Sequence, residues 1–375
     1  MEMALYDSAT GYYTSGRPGM DYYTSPAAHP AFGALMGLQL DQVWQLLGSP
    51  STYTVVEMGG GRGHLARDIL ASEFQPPSLR AMRYIVLERG RPGAPVSGAS
   101  QAVLGEAVPL KRVVGCFIAN ELWDAFPVHR VAMVSGRLRE AYVALESERL
   151  VEVYEDPSTP DLQTYLDEYD IHLAEGQRTE VNLEIVRYLE KVAHAVERGV
   201  LISVDYGYMP VGRQLRQQGS IRCFHRHTVH GDPYVHIGEQ DITSSVDFGV
   251  ATKAAEKAGF TILGLVHQSV FLMNLGLDIL LERLATAGFS AAEYHAEAMA
   301  MRELSRRGEM GDFRVLVLGK GMDGLELDCF EEDNATRSRL ASAADLPLPR
   351  LGPQHVALLA ARYPHLAWTP PEDME

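Results

Sequence analysis

Glycines and carboxylates placed at the ends of apolar runs carry most of the chemistry this sequence offers. Glu57-Met58-Gly59-Gly60-Gly61-Arg62-Gly63 links the apolar run at 52–59 to a segment of helical spacing that begins at His64. Glycines at such a junction let the chain turn tightly and let a ligand approach the backbone. The helix start beyond them offers free N–H groups. A dinucleotide fingerprint, G-x-G-x-x-G, needs glycine at position 64, where this chain has His64. The spacing is E-x-G-x-G-x-G instead. The acid stands two residues before the first glycine.

Further acids follow the same logic. Glu88 ends the run at 83–89, where two carboxylate oxygens can accept two ribose hydroxyls. Asn120-Glu121-Leu122-Trp123-Asp124-Ala125-Phe126-Pro127 follows the apolar run at 113–120. Glu121 and Asp124 are three apart and share a face if the segment is a helical turn, so together they can hold a cationic or amine acceptor. An acidic helix start is the plain alternative. Asp205 and Tyr206 end the run at 199–208, where an Asx turn before Gly207 is equally simple. Cys223, His225, His227, His230, Asp232 and His236 supply zinc-ligand types without a standard zinc spacing, so a basic, mobile lid is expected there and no metal. No G-x-S-x-G elbow occurs, which leaves a serine hydrolase without its nucleophile turn.

Elements must bring these groups together. Runs at 52–59, 83–89, 113–120, 199–208, 260–268 and 313–321 read as buried strands, with one more strand required between 90 and 112. Helical spacing appears at 30–47, ended by Gly48, at 64–74, at 182–197 and in segments between 270 and 307. A helix over 244–258 is expected, capped by Asp241 or Thr243. Strands alternating with helices predict an α/β fold with a doubly wound, mostly parallel sheet. Residues 128–155 read as a hairpin or meander turning at Ser135-Gly136, and 161–175 as weakly helical. YYTS occurs at 12–15 and 22–25 around Gly16, Pro18 and Gly19, which suggests two extended segments around a turn. The division expected is a cap at 1–50, a main domain at 51–321 with inserts at about 128–180 and 209–240, and an acidic, Pro-rich appendage at 322–375 with a helical stretch near 353–362.

Composition narrows the function. Lys plus Arg is 33 and Asp plus Glu is 49, a formal charge of −16, which argues against a protein that coats nucleic acid. No apolar run reaches the ~20 residues needed to span a bilayer. Three scattered cysteines fit a reducing compartment. The N-terminus lacks a signal-peptide pattern and an Arg-rich amphipathic leader, so a cytoplasmic location is expected.

The turn motif resembles the first motif of class I S-adenosylmethionine methyltransferases. The chain as a whole resembles the MidA-like family of these enzymes. The matching segments are Gly11-Tyr12-Tyr13, Asp21-Tyr22-Tyr23-Thr24-Ser25-Pro26, Glu57 to Gly63, Asn120 to His129, Val204-Asp205-Tyr206-Gly207, Asp241 to Phe248 and Phe271 to Gly276. Gly60 stands where many relatives have proline. The resemblance implies a Rossmann-like seven-stranded sheet in the order 3-2-1-4-5-7-6. It implies S-adenosylmethionine (SAM) as cofactor, with Thr24, Ser25 and Pro26 closing over it. A eukaryotic relative methylates arginine in a protein. Carried onto this chain, Glu57, Gly59, Gly61, Gly63, Glu88 and Asn120 serve the cofactor, and Glu121, Asp124 and Asp205 serve a guanidinium. Two other readings stay open: a small-molecule O- or N-methyltransferase with an apolar pocket of Trp123, Phe126 and Phe271, and a SAM-binding assembly factor without turnover. The acceptor is a protein or a small molecule, neither nucleic acid nor membrane, and a homodimer is open.

Overall fold

β-branched and aromatic residues dominate the central strands, and nearly every side chain on them is buried. The computed structural model describes residues 1–14, 22–72, 74–90, 93–105, 107–213, 217–226, 228–322, 324–343 and 346–355. Seven strands form the central sheet: β1 Tyr53–Met58, β2 Met82–Glu88, β3 Ala99–Val103, β4 Val113–Asn120, β5 Val196–Asp205, β6 Thr261–His267 and β7 Arg314–Lys320. Their order is β3-β2-β1-β4-β5-β7-β6. β1 to β5 run parallel, and β7 is antiparallel to both β5 and β6. This is the class I methyltransferase order. The strand required between 90 and 112 is β3.

Alternation along β1 divides the core in two. Tyr53 and Val55 face one layer, with α1 Ala31–Leu46, α2 His64–Leu70, α5 Gln268–Asn274, α6 Leu277–Thr286 and α7 Ala291–Glu303. Val56 and Met58 face the other, with the helix Asp161–Glu168, α3 Leu183–Ala195 and α4 Phe248–Lys257. α1 is apolar almost all round and buried along most of its length, as a helix lodged in a core must be. It therefore belongs to the main domain rather than to a cap.

Two inserts leave this frame. His129–Val134, Arg137–Glu146, Arg149–Glu155 and Arg178–Val181 form a four-stranded antiparallel sheet with Arg149–Glu155 on its edge. Arg222–His225, Thr228–His230 and Asp241–Thr243 form a three-stranded antiparallel sheet. Cys223, His225 and His230 of the histidine-rich segment are thus built into a sheet, while Asp232 and His236 lie outside it. Of the two extended segments expected at 12–15 and 22–25, Tyr12–Thr14 is a turn instead, while residues 22–24 form no strand but Thr24 is extended, leading into the helical turn Ser25–Ala28. The turn at Gly16–Gly19 and most of the helix near 353–362 lie outside the described residues. α4 starts at Phe248, not at 244. Its cap is Asp247, whose carboxylate accepts from the N–H of Gly249 at 3.0 Å and of Val250 at 3.2 Å.

The segment after 322 is more than an appendage over its described length. Leu327, Cys329 and Leu340 are buried. Gln42 of α1 donates to Asp328 Oδ1 at 2.7 Å and accepts from Asp328 N at 3.0 Å. His355 contacts Asp68 Oδ2 through Nε2 at 3.1 Å.

Candidate functional site

The turn after β1 is shaped by three left-handed residues: Gly59 at φ 71°, Gly61 at 53° and Gly63 at 73°. A Cβ on Gly61 would meet no atom within 4 Å, so the backbone there faces open space. A side chain on Gly59 or Gly63 would collide with Leu122 or Val96. The Glu88 carboxylate, at the end of β2, accepts from the Gly61 N–H. Glu57 is buried beneath the turn, and Tyr84 donates to its Oε2 at 2.9 Å. Burial pushes the Glu57 carboxyl up to about 7 against the opposing Tyr84 hydrogen bond.

A second group forms at the ends of β4 and β5. Segment 121–127 is a bend and turn rather than the helical turn that spacing suggested. Glu121 has φ 48°, left-handed for a non-glycine residue, a conformation that sites of function often hold. Its N–H donates to Val204 O at 2.7 Å. Glu121 Oε1 accepts from Ser25 N and from Asn120 Nδ2, each at 3.2 Å. Asp205 is fully buried. Its Oδ2 accepts from the N–H of Trp123 at 2.9 Å and of Asp124 at 3.3 Å, and its Oδ1 from the N–H of Tyr206 at 2.9 Å. Asp205 therefore fixes the bend that presents Glu121 and Asp124. Asp124 is buried, and among the described residues its Oδ1 and the buried Asn120 Oδ1 have no hydrogen-bond partner.

Sequence reasoning missed the fourth acid of this group. Asp241, read as a helix cap, is 1% exposed and accepts from the Tyr13 hydroxyl at 2.8 Å. Tyr22 lies 3.4 Å from that hydroxyl. The available signal was the acid opening Asp241-Ile242-Thr243, a strand whose residues are all buried. Among the described residues no salt bridge reaches Glu121, Asp124, Asp205 or Asp241. Burial, reinforced by the neighbouring acids, pushes Glu121 up to about 8, Asp241 to about 7 and Asp205 well above its ordinary value. Asp124 rises to about 6, mainly by burial, and the nearby Tyr206 hydroxyl opposes the shift. Acids held above their ordinary range, with no ion pair among the described residues, gain when a positive ligand arrives.

The roof over this group joins the N-terminus to the small sheet. Ala4, Leu5 and Tyr12 pack with Cys223 and Ile242 in a cluster separate from both main cores. The Tyr6 hydroxyl donates to Ala125 O at 2.9 Å, and its ring stacks on Tyr13. Ser25 is fully buried, its hydroxyl on Gln268 Oε1 at 3.0 Å. Pro26 is buried, and Thr24 stands at the N-cap position of the short helix without a side-chain capping bond.

The family described as "Putative S-adenosyl-L-methionine-dependent methyltransferase" matches residues 35–266, more than half of the chain. The chain belongs to this family. As one of these methyltransferases it uses SAM as its methyl donor. A Drosophila melanogaster relative, named protein arginine methyltransferase NDUFAF7 homolog, mitochondrial, is 29% identical over 326 residues, 76% of this chain and 72% of its own length. The Homo sapiens protein arginine methyltransferase NDUFAF7, mitochondrial, is 26% identical over 323 residues, 75% and 70% of the two chains. A Burkholderia thailandensis protein solved bound to S-adenosyl-homocysteine superposes with a TM-score of 0.76 at 27% identity, covering 90% of each chain. These relatives correct the expected cytoplasmic location: the curated ones are named as mitochondrial proteins.

Another expectation for the methyltransferase changes. Trp123 and Phe126 belong to one core layer and Phe271 to the other, so the three do not line a common apolar pocket. His225, His236 and Glu239 place donor atoms within 4.8 Å of one another. The two imidazoles, however, are stacked at 4.0 Å and 15°, so their in-plane lone pairs run side by side rather than converging. His227 lies outside the described residues.

Proposed function

We propose that the methyl acceptor is a guanidinium nitrogen of a protein arginine, held by Glu121 and Asp124. The observation that carries this reading is Asp124 Oδ1, buried without a hydrogen-bond partner among the described residues, in a group of acids that no salt bridge among those residues reaches. A buried acceptor oxygen without a donor is costly, and a guanidinium presents five donors in a fixed fork. The names of the relatives support the same acceptor.

SAM supplies an electrophilic methyl group. The residues present fit it: Asn120 Oδ1 is an unpartnered acceptor, and the space over Gly61 is what a Cβ would fill. Gly59, Gly61 and Gly63 shape the turn, Glu57 serves the methionine end, Glu88 the ribose, and Thr24, Ser25 and Pro26 the roof. Glu121 and Asp124 then concentrate the delocalised charge of the guanidinium and aim one nitrogen. Orientation and exclusion of water are the main contributions. The proton leaving that nitrogen passes to Glu121, whose pKa of about 8 suits a group that works near neutral pH. Asp205 acts through the bend it holds.

The test is transfer of labelled methyl from SAM to arginine-bearing peptides and, separately, to free guanidino, amino and hydroxyl metabolites. Label on peptide arginine, reduced about a hundredfold or more by Glu121→Gln, is expected. Label confined to a metabolite, or SAM binding with no transfer to any acceptor, overturns it in favour of the small-molecule or assembly-factor reading.

A further inference from the structure

The four-stranded insert sheet ends in an edge that no described residue pairs with. Its strand Arg149–Glu155 pairs with Arg137–Glu146 on one side only, in continuous register from Glu140↔Glu155 to Glu146↔Arg149. Natural edges are usually blunted by proline, lysine, a bulge or a cover. Arg149-Leu150-Val151-Glu152-Val153-Tyr154-Glu155 has neither proline nor lysine, and its ladder has no register shift. One face of the hairpin behind it is apolar and exposed: Val143 is 55% exposed, Leu145 71% and Leu150 36%, with Leu145 paired to Leu150.

The order of residues along the edge says what fits it. About Glu152 the strand is self-complementary. An antiparallel copy centred there sets Arg149 against Glu155, Leu150 against Tyr154 and Val151 against Val153, each pair on one face. Arg149 and Glu155 are exposed and make no ion pair among the described residues. Glu152, which would face its own copy, is already neutralised by Arg130 and by Arg178 at 3.3 Å, with the Tyr234 hydroxyl on Oε1 at 2.7 Å. We propose that Arg149–Glu155 pairs with the same strand of a second copy of this chain, making a two-fold dimer with a continuous eight-stranded insert sheet. Each Arg149 meets the Glu155 of the other copy, and the exposed Val143, Leu145 and Leu150 lie beside the join.

Sedimentation equilibrium of the full chain, from micromolar to sub-millimolar concentration, tests this with a charge swap. Wild type is expected to dimerise. Arg149→Glu or Glu155→Arg alone sets like charges at both ends of the join and weakens the dimer about tenfold or more. The double variant Arg149→Glu/Glu155→Arg restores it. Binding of S-adenosyl-homocysteine, unchanged in all three variants, shows that they are folded. A wild type that stays monomeric throughout, a dimer indifferent to the single swaps, or a double variant that fails to recover each overturns the proposal.

Discussion

Asp241 shows what a buried acid contributes when its partner is a hydroxyl rather than a cation. Asp241→Asn keeps an acceptor for Tyr13 but removes the charge. An arginine substrate should then show KM raised about tenfold, with S-adenosyl-homocysteine affinity unchanged in calorimetric titration. The same acids set a pH dependence. Glu121, Asp241 and Asp124 titrate at about 8, 7 and 6, all above their ordinary values of 4.5, 3.8 and 3.8. Between those limits the folded chain binds more protons than the unfolded one, so stability falls as pH rises through the window. The urea midpoint of the cofactor-free protein is expected to decline from pH 6 to 8, and Glu121→Gln to flatten the upper part of that decline. Gly61→Val places a β-branched residue at φ 53°, about 1–2 kcal/mol of strain, and fills the space over the turn. It should abolish S-adenosyl-homocysteine binding while the thermal transition remains cooperative.

The bend at 121–124 depends on an element far away in sequence. Asp205, 82 residues from Trp123, supplies the acceptor for its N–H. Asp205→Ala leaves three main-chain donors short of a partner, each worth about 1–3 kcal/mol when buried. Chemical denaturation should register a loss of several kcal/mol, with methyl transfer lost beside it. Strands such as Val113–Asn120 were readable because β-branched runs between polar ends have few alternatives. The glycine turn was readable because its spacing fits one cofactor better than another. Asp241 was misread because a short buried strand, Asp241–Thr243, has too few residues to show a period, and an acid before a helical pattern resembles a cap. Phe271 was placed in the wrong pocket because periodicity tells which residues are buried, not which side of the sheet receives them.

At the scale of the whole molecule, the described part of the C-terminal segment works as a brace on α1. Asp328 accepts from Gln42 Nε2 at 2.7 Å and from Thr336 N at 3.0 Å. Asp328→Ala is expected to cost about 1–3 kcal/mol by urea unfolding, with cofactor affinity retained, since neither contact touches the glycine turn. An appendage would have registered no change.

The roof also has a history in time. Tyr13 and Asp241, joined by a hydrogen bond, are 228 residues apart. At ribosomal rates of roughly 5–20 residues per second, the first tyrosines wait on the order of 10–50 s before the strand they pack against is made. For that interval Ala4, Leu5 and Tyr12 lack Cys223 and Ile242, the partners they pack against in the folded chain. The roof over the candidate site is therefore completed late, by a part of the chain that was made early.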